Sequence, residues 1–215
     1  MPNFLKDYWE FLRQFRERFE TTGAVAPSSR FLAKAMTVPL TQREGTSRVL
    51  EVGPGTGAVT KRIVRLLKPD DAFDLVELND SFAEMLRQRF EKDAKYRAVA
   101  KRSAVHVCPI QEFKADQPYD IIISGLPMNN FPPDLVRQIF QRFFKLLAPG
   151  GTLSYFEYMY VRPLRKIVAA PPEKKRLTEL DRIANEYLDK YRIDRSWVFV
   201  NMPPAWVQHL RKEVQ

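Results

Sequence analysis

The chain has 215 residues, with 35 Lys+Arg against 26 Asp+Glu for a formal net charge of +9. That length suits one domain around a single core, and 45% hydrophobic with 12% aromatic residues excludes a disordered polycation. A lone cysteine, Cys108, excludes an intramolecular disulfide, and no run approaches the ~18 apolar residues that span a bilayer.

Taken in order, residues 2–20 form an amphipathic pattern. Phe4, Leu5, Tyr8, Trp9, Phe11, Leu12, Phe15 and Phe19 fall on one side of a helical wheel, and charges fill the other. Gly23 ends this element, and a short second helix is expected from Arg30 to about Thr37, capped by Ser28 or Ser29. Strands and helices then alternate. Strands are expected at Arg48–Val52, Ala72–Leu78, Val105–Val107, Asp120–Ser124 and Thr152–Tyr158. Helices are expected from the glycine turn to Leu67, at Asp80–Phe90 and at Pro133–Leu147, the last ended by Ala148-Pro149-Gly150-Gly151. Lys174–Tyr191 reads as an inserted helix, and Trp197–Asn201 with Ala205–His209 as a closing antiparallel hairpin. Such alternation predicts an α/β, Rossmann-like fold with a mostly parallel, seven-stranded sheet and helices on both faces. Residues 1–40 are assigned to an N-terminal membrane-contacting unit. Residues 41–215 are assigned to the main domain, with a basic loop and helix inserted at about 160–191.

The strongest local signal is Glu51-Val52-Gly53-Pro54-Gly55-Thr56-Gly57, where an apolar strand turns into a helix. Three of only eight glycines fall here. Ligands of such folds bind at the carboxyl ends of the strands, and glycine lets backbone approach them closely. The spacing is G-x-G-x-G rather than the dinucleotide G-x-G-x-x-G, which suits an uncharged or zwitterionic ligand better than a pyrophosphate. Glu77 closes the next strand, placed to accept both ribose hydroxyls of an adenosine.

Glu51, the glycines and Glu77, together with Pro149-Gly150-Gly151, resemble the S-adenosylmethionine site of class I methyltransferases. Residues 23–32 (GAVAPSSRFL), 50–57 (LEVGPGTG) and 124–127 (SGLP) are further similar to the bacterial phospholipid N-methyltransferases, over most of the chain to about Tyr158. Those enzymes methylate phosphatidylethanolamine, and relatives methylate ornithine lipids. The resemblance implies that Glu51, Gly53, Gly55 and Glu77 bind S-adenosylmethionine, with Thr56, Gly57 and Leu78 beside them. It also implies that Ile110 and Gln111 flank the adenine, that Ser124 and Gly125 lie near the methionine moiety, and that S-adenosylhomocysteine is the product. The rRNA adenine dimethylases, distant cousins, carry an Asn/Asp-x-Pro-aromatic motif. Here Gly125-Leu126-Pro127-Met128 lacks both the amide and the aromatic, which disfavours a nucleic-acid substrate.

The N-terminal pattern is aromatic at six of its eight apolar positions, as suits a lipid interface, yet residues 1–22 carry no net charge. Basic support is expected from residues 160–176, which concentrate Arg162, Arg165, Lys166, Lys174, Lys175 and Arg176 against Glu173. Tyr160, Arg162, Arg165 and Lys166 are candidates for a lipid phosphate. An anionic membrane surface is thus the expected partner, with a cytoplasmic location peripheral to the inner face of the cell membrane.

Methyl transfer to an amine needs alignment and a deprotonated nucleophile. Tyr8, Asn129, Glu157 and Tyr158 are the candidates to orient a headgroup and relay its proton. Glu157 and Tyr158 are adjacent on a strand, so only one of them points inward. His106, Cys108 and His209 read as structural, and no metal is expected because two neighbouring ligands are too few for a zinc site. The leading reading is an S-adenosylmethionine-dependent lipid N-methyltransferase, with phosphatidylethanolamine and its methylated intermediates as the first expected acceptors and ornithine lipid next. The alternatives are an rRNA adenine N6-methyltransferase and a non-catalytic lipid-binding module.

Overall fold

The computed structural model describes residues 30–159, 169–201 and 203–214. The candidates Tyr8, Tyr160, Arg162, Arg165 and Lys166 lie outside the described residues, as does the whole 2–20 pattern.

Seven strands form one sheet: β1 (Arg48–Val52), β2 (Ala72–Glu77), β3 (Ser103–Val107), β4 (Tyr119–Ser124), β5 (Leu147–Tyr158), β6 (Arg192–Val198) and β7 (Ala205–Arg211). Their order is β3-β2-β1-β4-β5-β7-β6. The first five run parallel, and β7 pairs antiparallel with both β5 and β6. The order reverses between β1 and β4, so the loops following those two strands open a crevice at the carboxyl edge.

Central strands with both faces covered need apolar residues at successive positions, and Val49, Leu50 and Ile121–Ile123 supply them. On one face, α6 (Pro133–Leu146) and α7 (Pro171–Tyr191) cover Leu50, Ile122, Leu153 and Tyr155. Leu135, Val136, Ile139, Phe140, Phe143 and Leu146 recur at three- and four-residue intervals and give α6 its buried stripe. Phe140 meets Tyr155 edge-on at 5.3 Å and stacks on Tyr187 of α7 at 4.6 Å, joining sheet and both helices.

The other face is covered by α1 (Arg30–Met36), α2 (Val38–Gln42), α3 (Thr60–Leu66), α4 (Asp80–Lys92) and α5 (Ala94–Arg97). Leu32, Ala33, Met36 and Leu40 share this core with Val49, Phe156 and Val207. Residues 30–40, assigned from sequence to the membrane-contacting unit, therefore pack on the sheet. Asn79 caps α4, its side chain accepting from the Phe82 N–H at 3.1 Å.

Three expected boundaries need correction. Leu147 to Gly151 is not a simple stop: Leu147 pairs with Tyr119, the register then shifts, and Gly150 and Gly151 exchange backbone hydrogen bonds with Lys212. Gly150 makes this bulge at φ +75°. Strand β6 runs Arg192–Val198 rather than Trp197–Asn201, because Arg192, Asp194 and Arg195 already pair with β7 along an exposed edge, where polar side chains are tolerated. Helix α7 starts at Pro171, where the missing N–H of proline costs nothing in a first turn.

Candidate active site

Strand β1 ends in the glycine loop, which leads into α3. Gly53 donates its N–H to the Val76 carbonyl at 2.9 Å, and Gly125 donates to the Val52 carbonyl at 2.8 Å. The loops after β1 and β4 touch so closely that a Cβ on Gly125 would lie 2.5 Å from the Gly53 carbonyl oxygen. Gly55 has φ +53°, and the space a Cβ would take there is open, so a ligand can approach the loop closely at this point.

Two carboxylates flank this loop. Glu77, at the end of β2, accepts from the Gly55 N–H and the Asn79 N–H, each at 2.9 Å. Burial raises its pKa, and the backbone N–H groups of Asn79, Gly55 and Leu78 work against that rise. Glu51 is 1% exposed, and its Oε2 has no hydrogen-bond partner among the described residues. Burial pushes its pKa up to about 8; Thr60 opposes the shift and the Glu77 charge adds to it. A buried carboxyl with an unsatisfied oxygen, beside a half-buried glycine loop, fits a ligand that brings positive charge and hydrogen-bond donors.

The remaining expected cofactor residues gather at the same edge. Leu78 and Ile110 are buried, and the Gln111 Oε1 is a second buried acceptor without a partner among the described residues. Ser124 is fully buried at the end of β4, and its hydroxyl accepts from the Leu126 N–H at 3.3 Å. Thr56 and Gly57 complete the turn.

The acceptor-side candidates divide. Asn129 is buried in the short turn Met128–Asn130 after β4. Glu157 is buried on the face of Tyr155 and Ser124, two positions beyond their register pair, with its Oε2 3.5 Å from Gln208 Nε2. Tyr158 turns to the opposite face, edge-on to Phe156 at 5.2 Å, and packs with the α1 core. Glu157 thus shares the sheet face of Ser124, whereas Tyr158 lies on the face of Glu51, whose register partners are Ile123 and Ser154.

Two arginines were not legible as site residues. Arg89 of α4 donates to the Thr56 carbonyl at 2.7 Å and holds the glycine loop. Arg176 of α7 grips Glu173 through two 2.7 Å contacts and donates to the Phe131 carbonyl at 2.9 Å, fixing the loop that carries Asn129. Both contacts join residues more than thirty positions apart. His106 faces Asp74, their Nε2 and Oδ1 2.8 Å apart, and Tyr119 donates to the same carboxylate at 2.7 Å. His209 is buried with its Nδ1 2.8 Å from Ser154 Oγ, and burial lowers its pKa. Both histidines thus belong to internal networks of the sheet. No group of three or more His, Cys, Asp or Glu side chains suited to a metal occurs among the described residues.

Comparison with known proteins decides what this edge belongs to. The family described as "Methyltransferase domain" matches residues 49–151. The ornithine lipid N-methyltransferase of Singulisphaera acidiphila is 32% identical over 155 residues, covering 72% of this chain and 80% of that protein. The chain belongs to the class I methyltransferases. Another methyltransferase, calH of Penicillium decumbens, is 34% identical over 128 residues, 54% of this chain and 33% of the relative. Among solved class I methyltransferases, the O-methyltransferase TomG of Streptomyces achromogenes, bound to S-adenosylmethionine, superposes with a TM-score of 0.62 at 17% identity, covering 93% of this chain and 86% of TomG. The N-methyltransferase NodS of Bradyrhizobium japonicum, bound to S-adenosylhomocysteine, gives a TM-score of 0.58 at 17% identity, covering 86% and 88%. These two likenesses establish the fold of a class I methyltransferase. S-adenosylmethionine is the cofactor of this family, and the orphaned acceptors at Glu51 and Gln111 and the open space at Gly55 fit it.

Proposed function

We propose that this class I methyltransferase methylates the headgroup amine of a membrane lipid, with ornithine lipid as the first acceptor to test and phosphatidylethanolamine the second. The observation that carries the lipid assignment is the 32% identity to an ornithine lipid N-methyltransferase across most of both chains. The site's chemistry is compatible with it. Glu77 receives the ribose hydroxyls, Gln111 the adenine amino group, and Glu51 the cationic amino-acid end. Gly53, Gly55, Thr56 and Gly57 line the donor, with Leu78 and Ile110 against the base and Ser124 and Gly125 beside the methionine chain.

When bound, S-adenosylmethionine supplies an electrophilic methyl group on a sulfonium. The chain's own residues supply alignment and exclude water. Asn129, in the turn after β4, and Glu157, near the end of β5, are the groups assigned to the acceptor, since an amide oxygen and a carboxylate accept hydrogen bonds from an amine. An alkylammonium of pKa about 10 must lose a proton before attack, and partial desolvation in the crevice favours the neutral amine. Glu157 orients that amine and takes up its proton, and Tyr158, on the face of Glu51, is the second candidate for that role. Contact with an anionic membrane through residues 2–20 and the basic segment 160–176 forms part of the same proposal, including a role for Tyr160, Arg162, Arg165 and Lys166 at the lipid phosphate. Among the described residues no helix is long and apolar enough to cross a membrane.

The test is a competition. The chain is incubated with methyl-labelled S-adenosylmethionine, total RNA and vesicles containing ornithine lipid. Label in the lipid phase is expected; label in RNA overturns the lipid assignment in favour of an rRNA adenine methyltransferase, and label in neither points to a lipid-binding module without transfer.

A further inference from the structure

Strand polarity places the β6–β7 turn. Strand β6 runs antiparallel to β7, which runs antiparallel to β5, so β6 points the same way as the parallel strands. Its far end, at Val198, therefore lies at the carboxyl edge of the sheet, the edge that carries the glycine loop and Asn129. The turn is well tied down. Asn201 Nδ2 donates to the Pro203 carbonyl and the Met159 N–H donates to the Pro204 carbonyl, both at 2.8 Å.

At this fixed turn the apolar side chains face outward. Val198 and Ala205, at its base, are buried, whereas Trp197, Phe199 and Val200 are 49%, 64% and 70% exposed. Trp197 stacks on Phe199 with centroids 5.7 Å apart and meets Trp206 edge-on, also at 5.7 Å. Scattered exposed apolar residues are ordinary, but three in four consecutive positions, with two stacked rings, form one patch. Arg195 lies over the same rings, its guanidinium carbon 4.9 Å from the Trp197 centroid and 5.4 Å from that of Trp206. The aromatic end is thus apolar and its flank cationic.

Further cations stand at this edge. Helix α7 ends where β6 begins, so its first turns lie at the carboxyl edge, as the Arg176 contact with the Phe131 carbonyl requires. Lys174 and Lys175 there are exposed and line an open cleft.

We propose that the end of β6 and the residues that follow it, 197–201, form a bilayer-docking tip. Phe199 and Val200 enter the acyl boundary, Trp197 lies at headgroup depth, and Arg195, Lys174 and Lys175 meet anionic headgroups. This rests on the reading of the acceptor as a membrane lipid, because only then must this edge lie against a bilayer. Tryptophan and phenylalanine flanked by basic side chains match the interfacial zone, where one end of the group is apolar and the other wet. Net charge complementarity favours an anionic surface over a second copy of this chain, which carries the same +9.

The experiment compares the full chain with Phe199→Ser/Val200→Ser in flotation with phosphatidylcholine vesicles containing phosphatidylglycerol. Loss of these two anchors is expected to weaken partitioning by about tenfold or more, since interfacial affinity scales with apolar area inserted. Thermal midpoint and S-adenosylhomocysteine affinity by calorimetry are expected to remain as in the parent. Equal vesicle binding by the double variant, at matched stability, overturns the docking tip. Dissociation of a parent dimer by the variant, with vesicle binding unchanged, assigns the patch to a second copy instead and overturns it too. Methylation of ornithine lipid in detergent micelles, run on the same two proteins, keeps the two claims apart. Parent and variant equally active in micelles but different on vesicles supports both claims. No lipid methylation by either protein removes the functional reading, while the flotation result still decides the tip.

Discussion

The two halves of the carboxyl edge handle charge in opposite ways. Around β1 and β2, two carboxylates are buried beside a glycine loop, and one of them has an oxygen with no partner among the described residues. Around β5 to β7 and α7, the cations are exposed and the apolar groups face outward. The first half is a preorganised cradle whose polar groups wait for a small cationic ligand. The second is a surface whose exposed aromatic and basic groups wait for something large. The unmet hydrogen bond of buried Glu51 marks the side we assign to the methyl donor, and the exposed, clustered rings mark the proposed docking tip.

The sharpest way to break this contrast is Glu77→Ala. If its carboxylate receives the ribose, calorimetry should show S-adenosylmethionine affinity falling on the order of 100-fold, as two charge-assisted hydrogen bonds are lost. A variant that folds and keeps full affinity removes Glu77 from the cradle. Gly125→Ala probes the contact between the two loops. A Cβ there meets the Gly53 carbonyl at 2.5 Å, and backbone cannot give way as a flexible side chain does. Thermal or urea unfolding should register a loss of about 1–3 kcal/mol, the usual cost of overpacking.

On the acceptor side, Glu157→Gln keeps the shape and removes the charge. We expect kcat for lipid to fall by about tenfold or more with cofactor affinity unchanged, since a proton acceptor acts in the chemical step. A rise in KM alone assigns Glu157 to headgroup binding.

The smallest effect is a proton count. Glu51, with its pKa raised to about 8, is mostly protonated in the free protein at pH 7. A cationic ligand prefers the carboxylate, so cofactor binding at pH 7 should release a proton. Calorimetry in buffers of different ionisation enthalpy should find release approaching roughly one proton, abolished in Glu51→Gln. The sign for stability is the reverse of an ordinary paired carboxylate. The Glu51 contribution is fully present below the unfolded pKa of about 4.5 and is lost as pH rises through about 8. Glu51→Gln should flatten that part of the unfolding profile.

Much of the donor half was legible because its signals are local. After Arg48, strand β1 is apolar and buried apart from the acid Glu51, and an acid in a run that must be buried on both faces stands out. The glycines and Glu77 sit at strand ends, where periodicity places them without knowledge of the tertiary contacts. The acceptor half was less legible because its signals are distant or polar. Strand β6 opens with Arg192-Ile193-Asp194-Arg195, which reads as loop until its pairing with β7 is seen. The Arg176 grip on Phe131 spans 45 positions, and the Arg89 hold on Thr56 spans 33, so neither has a local pattern. Glu157 and Tyr158 were recognisable as alternatives, but only packing with Phe156 turns Tyr158 to the other face.

The central claim is that this edge joins S-adenosylmethionine to an aminolipid. Mass spectrometry of vesicles holding ornithine lipid and phosphatidylethanolamine together, after incubation with the cofactor and either the parent or Glu77→Ala, tests it most directly. Methyl additions on an aminolipid are expected with the parent, ornithine lipid first, and none above background with the variant. Unmodified lipids with an active, cofactor-binding parent protein, or equal methylation by Glu77→Ala, would contradict it.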